Sequence, residues 1–155
     1  MTIYWEDLKI GDRFSSQNNS TLSEEEIIEF ASEFDPQPYH LDPNVAEASI
    51  FGGLCASGWQ ISALTLKMVS ECFRTKKIAL MGLASVERLR WKKPVFAGDI
   101  LTVEVALIKK YPKSHLPNMG KITADISVKN QKNEIALTLT NSFLISLKDK
   151  NHEEE

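Results

Sequence analysis

Asp35 and His40 stand five residues apart in FASEFDPQPYHLDP (residues 30–43), with Pro36 and Pro38 between them. A carboxylate and an imidazole held at a set separation can move a proton between a water and a substrate. Proline fixes its own φ and pushes the preceding residue out of the helical region, so Asp35 and Gln37 are expected on an extended or turn-like path. The same spacing also suits simple turn-making: Asp before Pro caps or turns chains, and His40 could bond near Asp42.

The segment that follows, FGGLCASGWQISALTLKMVSECF (residues 51–73), supplies a third part. Gly52 and Gly53 interrupt regular structure, and Ser57 is placed to cap a helix running from about Gly58 to Phe73. Backbone N–H groups at such a helix start are unpaired and can stabilise an oxyanion. A base, an acid and an oxyanion donor are the parts needed to add water across a double bond next to a carbonyl. Ser57 as a nucleophile lacks a G-x-S-x-G elbow, since the sequence reads CASGW. In ERLRWKKPV (residues 87–95), Arg88 and Arg90 share a strand face at period two and could meet the phosphates of a carrier. The alternative is a solvated edge. No metal site is expected: His40, His115 and His152 are scattered, and neither H-E-x-x-H nor C-x-x-C occurs.

These residues must be positioned by a small number of elements. LSEEEIIEFASEF (residues 22–34) reads as a helix opened by a Ser23/Glu26 capping box, with Ile27, Phe30, Ala31 and Phe34 on one face. Pro36 ends it at Asp35. A short helix is expected from Asp42, with Pro43 at its first position. The helix after Ser57 is apolar on nearly every side, with only Gln60, Lys67, Glu71 and Arg74 left for a polar stripe, so it is expected to be buried. Four strands follow at about residues 80–91, 99–110, 120–130 and 134–146. In the third, Ile122, Ala124, Ile126 and Val128 alternate with Thr123, Asp125 and Ser127. One long helix followed by antiparallel strands predicts an α+β domain, its sheet curled around that helix. Such a pairing leaves apolar strand surface open, which predicts a homodimer or a dimer-based oligomer.

Composition narrows the function further. At 155 residues and 43% hydrophobic content the chain fits one domain, expected over residues 1–148 with a charged tail at 149–155. A net charge of −3 gives no general attraction to nucleic acid or anionic membrane. No apolar run reaches bilayer length, and the N-terminus lacks the pattern of a signal peptide. Cys55 and Cys72 sit in apolar surroundings and are too few for a disulfide framework. A cytoplasmic location is expected.

Taken together, FASEFDPQPYHLDP, FGGLCASGWQISALT and LRWKKPVFAGDIL resemble the MaoC-like branch of the (R)-specific enoyl-CoA hydratases, a hotdog-fold family. The family motif runs Asp-x-Asn-Pro-x-His, matched here by Asp35, Pro38 and His40. The resemblance implies a catalytic dyad of Asp35 and His40, an oxyanion hole at the Gly58 N–H, and an acyl-CoA substrate with no separate cofactor. It implies a lyase of fatty acid metabolism, which hydrates a trans-2-enoyl-CoA or dehydrates an (R)-3-hydroxyacyl-CoA. Gln37 stands where many members carry Asn, and Ser57 where many carry His. Both positions, with Arg88 and Arg90, are expected to bind substrate. The rival readings are a hotdog acyl-CoA thioesterase and a non-catalytic acyl-CoA-binding module. The thioesterase is disfavoured because residues 58–70 contain no acid.

Overall fold

A computed structural model of the chain describes residues 1–112 and 116–149. A 3-10 turn at Trp5–Asp7 leads into β1 (Arg13–Ser15). Four helices follow, α1 (Glu24–Phe34), α2 (Pro38–Leu41), α3 (Pro43–Glu47) and α4 (Gly58–Thr75). Then come β2 (Leu80–Trp91), β3 (Thr102–Tyr111), β4 (Met119–Lys129) and β5 (Ile135–Ser146). The strands form one antiparallel sheet in the order β1-β3-β4-β5-β2, as the α+β expectation required. His115, His152 and most of the charged tail lie outside the described residues. No helix among the described residues is long and apolar enough to cross a membrane.

The alternation in β4 sets the inner face of the sheet. Ile122, Ala124, Ile126 and Val128 are buried, and they join Val103, Val105 and Leu107 of β3 and Leu137, Phe143 and Ile145 of β5. Against this face α4 presents Ile61, Met68, Val69 and Phe73. Phe73 sits at the centre, its ring 5.0 Å from Phe143 and 6.0 Å from Phe14. Each large apolar side chain buried this way is worth about 1.5–3 kcal/mol, so the α4–sheet contact is a large contribution to stability.

Several local expectations are corrected by packing. Gln60 is buried rather than in a polar stripe, and its amide donates to the Glu26 carbonyl (3.1 Å), tying α4 to α1. Trp59 instead faces outward at 60% exposure. Phe34 is also exposed, its ring tilted against Phe30 at 5.1 Å between ring centres. In α1 only Ile27 and Ala31 are fully buried, because the helix turns one narrow stripe to the core. The three-residue β1 and the 3-10 turn were not expected; elements this short carry no readable periodicity.

Candidate active site

The capping box at Ser23 and Glu26 starts α1 as expected, and Pro36 stops it. Asp35 is the last residue tied to the helix, its N–H donating to the Ala31 carbonyl (3.0 Å). Gln37 is extended (φ −82°, ψ 142°), and Pro38 then opens the single turn α2. His40 therefore rides on a helical turn. Asp42 caps α3 by accepting from the Asn44 and Val45 N–H groups, which anchors the far side of the turn.

This path brings the two titratable groups together. His40 Nε2 lies 3.4 Å from Asp35 Oδ2, with the imidazole buried and the carboxylate about one-quarter exposed. His40 Nδ1 is 2.6 Å from the Cys55 carbonyl oxygen. A carbonyl only accepts, so Nδ1 carries the hydrogen and Nε2 is the nitrogen turned to the carboxylate. That carbonyl is itself fixed, because Cys55 pairs with Phe96 and the Ala56 N–H donates to Val95 (2.8 Å). Cys55 Sγ stands 3.8 Å from Nδ1, and burial pushes its thiol up from the ordinary value, so it is a poor nucleophile.

Ser57 occupies the N-cap position of α4, but its side chain makes no cap bond. This corrects the expectation of a capping hydroxyl. The hydroxyl is turned to Asp35 instead, Ser57 Oγ donating to Asp35 Oδ2 at 2.7 Å. The first N–H groups of α4 are left without a side-chain acceptor. The Asp35 main-chain carbonyl accepts from the Gln37 N–H (2.7 Å) in a tight turn, but among the described residues its carboxylate accepts from no backbone N–H and is shared by Ser57 and His40.

Gly58 follows, and its lack of a side chain matters. A Cβ there would fall 2.7 Å from the Trp91 indole. Trp91 lies across the helix start, its Nε1 donating to the Gly58 carbonyl (2.8 Å) and to Ser62 Oγ (3.2 Å). Beside it opens a cleft of about 340 Å³ lined by Tyr39, His40, Phe51, Gly58, Trp91 and Lys92, among others. Asp35 and Ser57 are not in its lining. Gln37 is exposed and makes no side-chain cap bond.

The two arginines are not at this cleft. The pairing of β2 with β5 slips between Glu87 and Arg90, and Arg88 takes a left-handed φ of 51° in the slip. A bulge of this kind breaks period-two facing. Arg88 lines a groove with Arg13, Glu104 and Asp125 on the sheet face away from α4. Arg90 donates to the Leu89 carbonyl at the surface. Lys92 and Lys93 line the cleft instead, Lys93 being paired with Glu134. Trp91, Tyr39 and Lys92 are the site residues missed from sequence. The basic run 88–93 was the available signal, but the bulge decides which of its members face inward.

Similarity to known proteins covers most of the chain. The MaoC like domain model matches residues 7–130. The uncharacterized protein YdeM of Bacillus subtilis (strain 168) is 32% identical over 128 residues, spanning 82% of this chain and 87% of that one. Among solved structures, the MaoC-like dehydratase of Rhodospirillum rubrum has a TM-score of 0.84 at 34% identity, covering 95% of this chain and 99% of its own. A monoamine oxidase regulatory protein from Archaeoglobus also reaches 0.84, at 28% identity over 96% and 97% of the two chains. The (R)-hydratase PhaJ1 of Pseudomonas aeruginosa, at 23% identity and 0.66, covers 96% of this chain and 88% of its own and shares the fold.

Proposed function

The chain belongs to the MaoC-like domain family of hotdog fold, and on that premise we propose that it is a hydro-lyase acting on a 2-enoyl thioester. The observation that carries this reading is the Asp35–His40 pair at 3.4 Å beside the uncapped start of α4. At that separation no water fits between the two groups, so the reacting water is held against both from one side. As its oxygen bonds to C3, the pair takes its proton. Charge moves to the thioester oxygen, which the Gly58 N–H receives. A proton then reaches C2, so that H and OH have been added in sum. Run backward, the same steps dehydrate an (R)-3-hydroxyacyl thioester. The two groups act as one coupled unit, so the proton belongs to the pair. Ser57 is a positioning residue that fixes Asp35 Oδ2.

Coenzyme A is the carrier in this reading, with Lys92 at the cleft mouth facing its phosphates and no further cofactor. The protein works in the cytoplasm, in fatty acid metabolism. A thioesterase using an acid on α4 is the rival. Glu71 is the first acid along that helix and lies about 20 Å from Gly58 at 1.5 Å per residue. Glu71 lines a different cavity, with Cys72 and Ser15. A non-catalytic acyl-CoA-binding module would have no use for a buried imidazole facing a carboxylate. Incubation with crotonyl-CoA and longer enoyl-CoAs tests all three, following enoyl absorbance and free thiol together. Absorbance loss without thiol is the expected result. Thiol release would make the protein a thioesterase, and neither signal, with binding retained, a carrier module.

A further inference from the structure

Gly58 opens α4, and its N–H is the group that meets the thioester oxygen in the reading above. Glycine is the least restrained residue of the backbone, and an N–H in the first turn has no partner within its own helix. The aim of this N–H is therefore weakly fixed by α4 itself. On one side the chain is held by the Ala56 N–H on the Val95 carbonyl (2.8 Å) and by Ser57 Oγ on Asp35. On the other, the Gly58 carbonyl accepts from Ser62 Oγ at 3.0 Å and from Trp91 Nε1 at 2.8 Å. Ser62 lies one turn along α4 and moves with it. Among the described residues, the Trp91 bond is the one that ties this carbonyl to another element.

Trp91 arrives there by the register of β2. Past the slip between Glu87 and Arg90 it pairs with Leu137, a core residue, and cross-strand partners share a face. The indole thus turns in against α4. Its ring lies so close over Gly58 that only glycine leaves room, since a Cβ would fall 2.7 Å away. A second bond, Nε1 to Ser62 Oγ at 3.2 Å, and an edge-to-face contact with Trp59 at 5.2 Å between ring centres hold its orientation. The same ring is a wall of the cleft that holds His40.

We propose that Trp91 is a positioning residue: by holding the Gly58 carbonyl and packing on the Gly58 Cα, it aims the Gly58 N–H at the thioester oxygen. This rests on the enoyl-thioester reading of the cleft. An oxyanion donor counts most as charge develops, so its aim governs kcat more than KM. A misplacement of about 1 Å at such a group costs on the order of 100-fold.

Trp91→Phe tests this, because it keeps a ring over Gly58 and removes the N–H. With crotonyl-CoA, kcat should fall roughly 10- to 100-fold while KM moves less than about threefold. Infrared spectra of bound butanoyl-CoA, labelled with carbon-13 at the thioester carbonyl, read the aim directly. Accepting a well-aligned hydrogen bond lowers that stretching frequency, so the band should be lowered in wild type and return toward the free thioester in the variant. A purely structural role would lower the melting temperature and leave the band of the folded protein in place. A wild-type kcat, a loss confined to KM, or an unmoved band in the variant overturns the proposal. Should Trp91→Phe not fold, hydrogen exchange at the Trp91 Nε1–H of wild type decides. Exchange slower than at the exposed Trp59, and slower again with butanoyl-CoA bound, is expected; a rate equal to that of Trp59 or indifferent to the thioester overturns it. Butanoyl-CoA is unreactive, so these arms stand apart from turnover. Hydration by wild type with an unaffected Phe variant sinks only this inference, and a carbonyl shift that depends on Trp91 without any hydration sinks only the hydro-lyase.

Discussion

At the scale of single residues, the carboxylate of Asp35 is shared between a hydroxyl and an imidazole, and each contact makes a distinct forecast. Asp35→Asn and His40→Ala should each lower kcat by roughly 10²–10⁴-fold. The double variant should lose little beyond the worse single, because groups acting as a unit are non-additive. Asparagine nearly matches aspartate in shape, so the melting temperature should barely move. Were Asp35 merely a turn residue, its loss would instead cost about 0.5–2 kcal/mol of stability and spare turnover; near-normal activity in a well-folded Asp35→Asn protein would refute the proposed chemistry. Ser57→Ala separates positioning from capping. Its hydroxyl serves Asp35 and caps nothing, so kcat and the pH–rate profile should change while the melting temperature holds. Burial raises the thiols of Cys55 and Cys72 above their ordinary 9.0. The folded state therefore keeps protons that the unfolded state loses, and this share of stability is full below pH 9 and fades as pH rises past the folded-state values. Iodoacetamide at pH 8 should spare both thiols in the native protein and label both after denaturation.

At the scale of elements, the start of α4 and the bulges of β2 decide the site. The helix start was legible: Ser57-Gly58 after a glycine pair marks it, and Gly58 is where the structure begins α4. So was the end of α1, because Pro36 leaves Asp35 no alternative. The facing of residues 88–93 was not legible, since one slipped residue in β2 reverses every side chain beyond it and leaves no mark in the composition. Ser57's bond to Asp35 was hidden for a related reason, spanning 22 residues between two elements. These differences yield a comparison. Lys92→Ala should raise KM for a CoA thioester and flatten its salt dependence with kcat little changed, the pattern of lost uniform binding. Arg88→Ala, on the opposite face of the sheet, should change neither. Equal effects from both would mean that the bulge does not direct Arg88 away from the cleft. Gly58→Ala should be the most damaging small change at the site, because its methyl must displace the Trp91 indole from 2.7 Å. Turnover should fall and tryptophan emission shift together; a silent spectrum would mean that the ring does not rest on Gly58.

At the scale of the molecule, the sheet has two edges treated very differently. β1 is three residues long and carries Arg13, ion-paired to Glu104, so it offers little for another strand to pair with. β2 runs twelve residues, and Met81, Leu83 and Val86 along it are exposed, as are Trp59 and Leu66 on α4 beside it. Long apolar edges of this kind pair with further chain unless covered. The occupant we predict is a second copy of this chain, since an edge that presents the same surface twice closes as a two-fold dimer. Light scattering at micromolar concentration should therefore give a dimer or a multiple of dimers. Met81→Lys places a charge on the edge without touching the cleft, and it should shift the protein to monomer. A monomer from the outset would leave the apolar edge without a role and remove the reason for proposing this assembly. A Met81→Lys protein still dimeric would move the contact to another face, with the α4 surface around Trp59 the next to test.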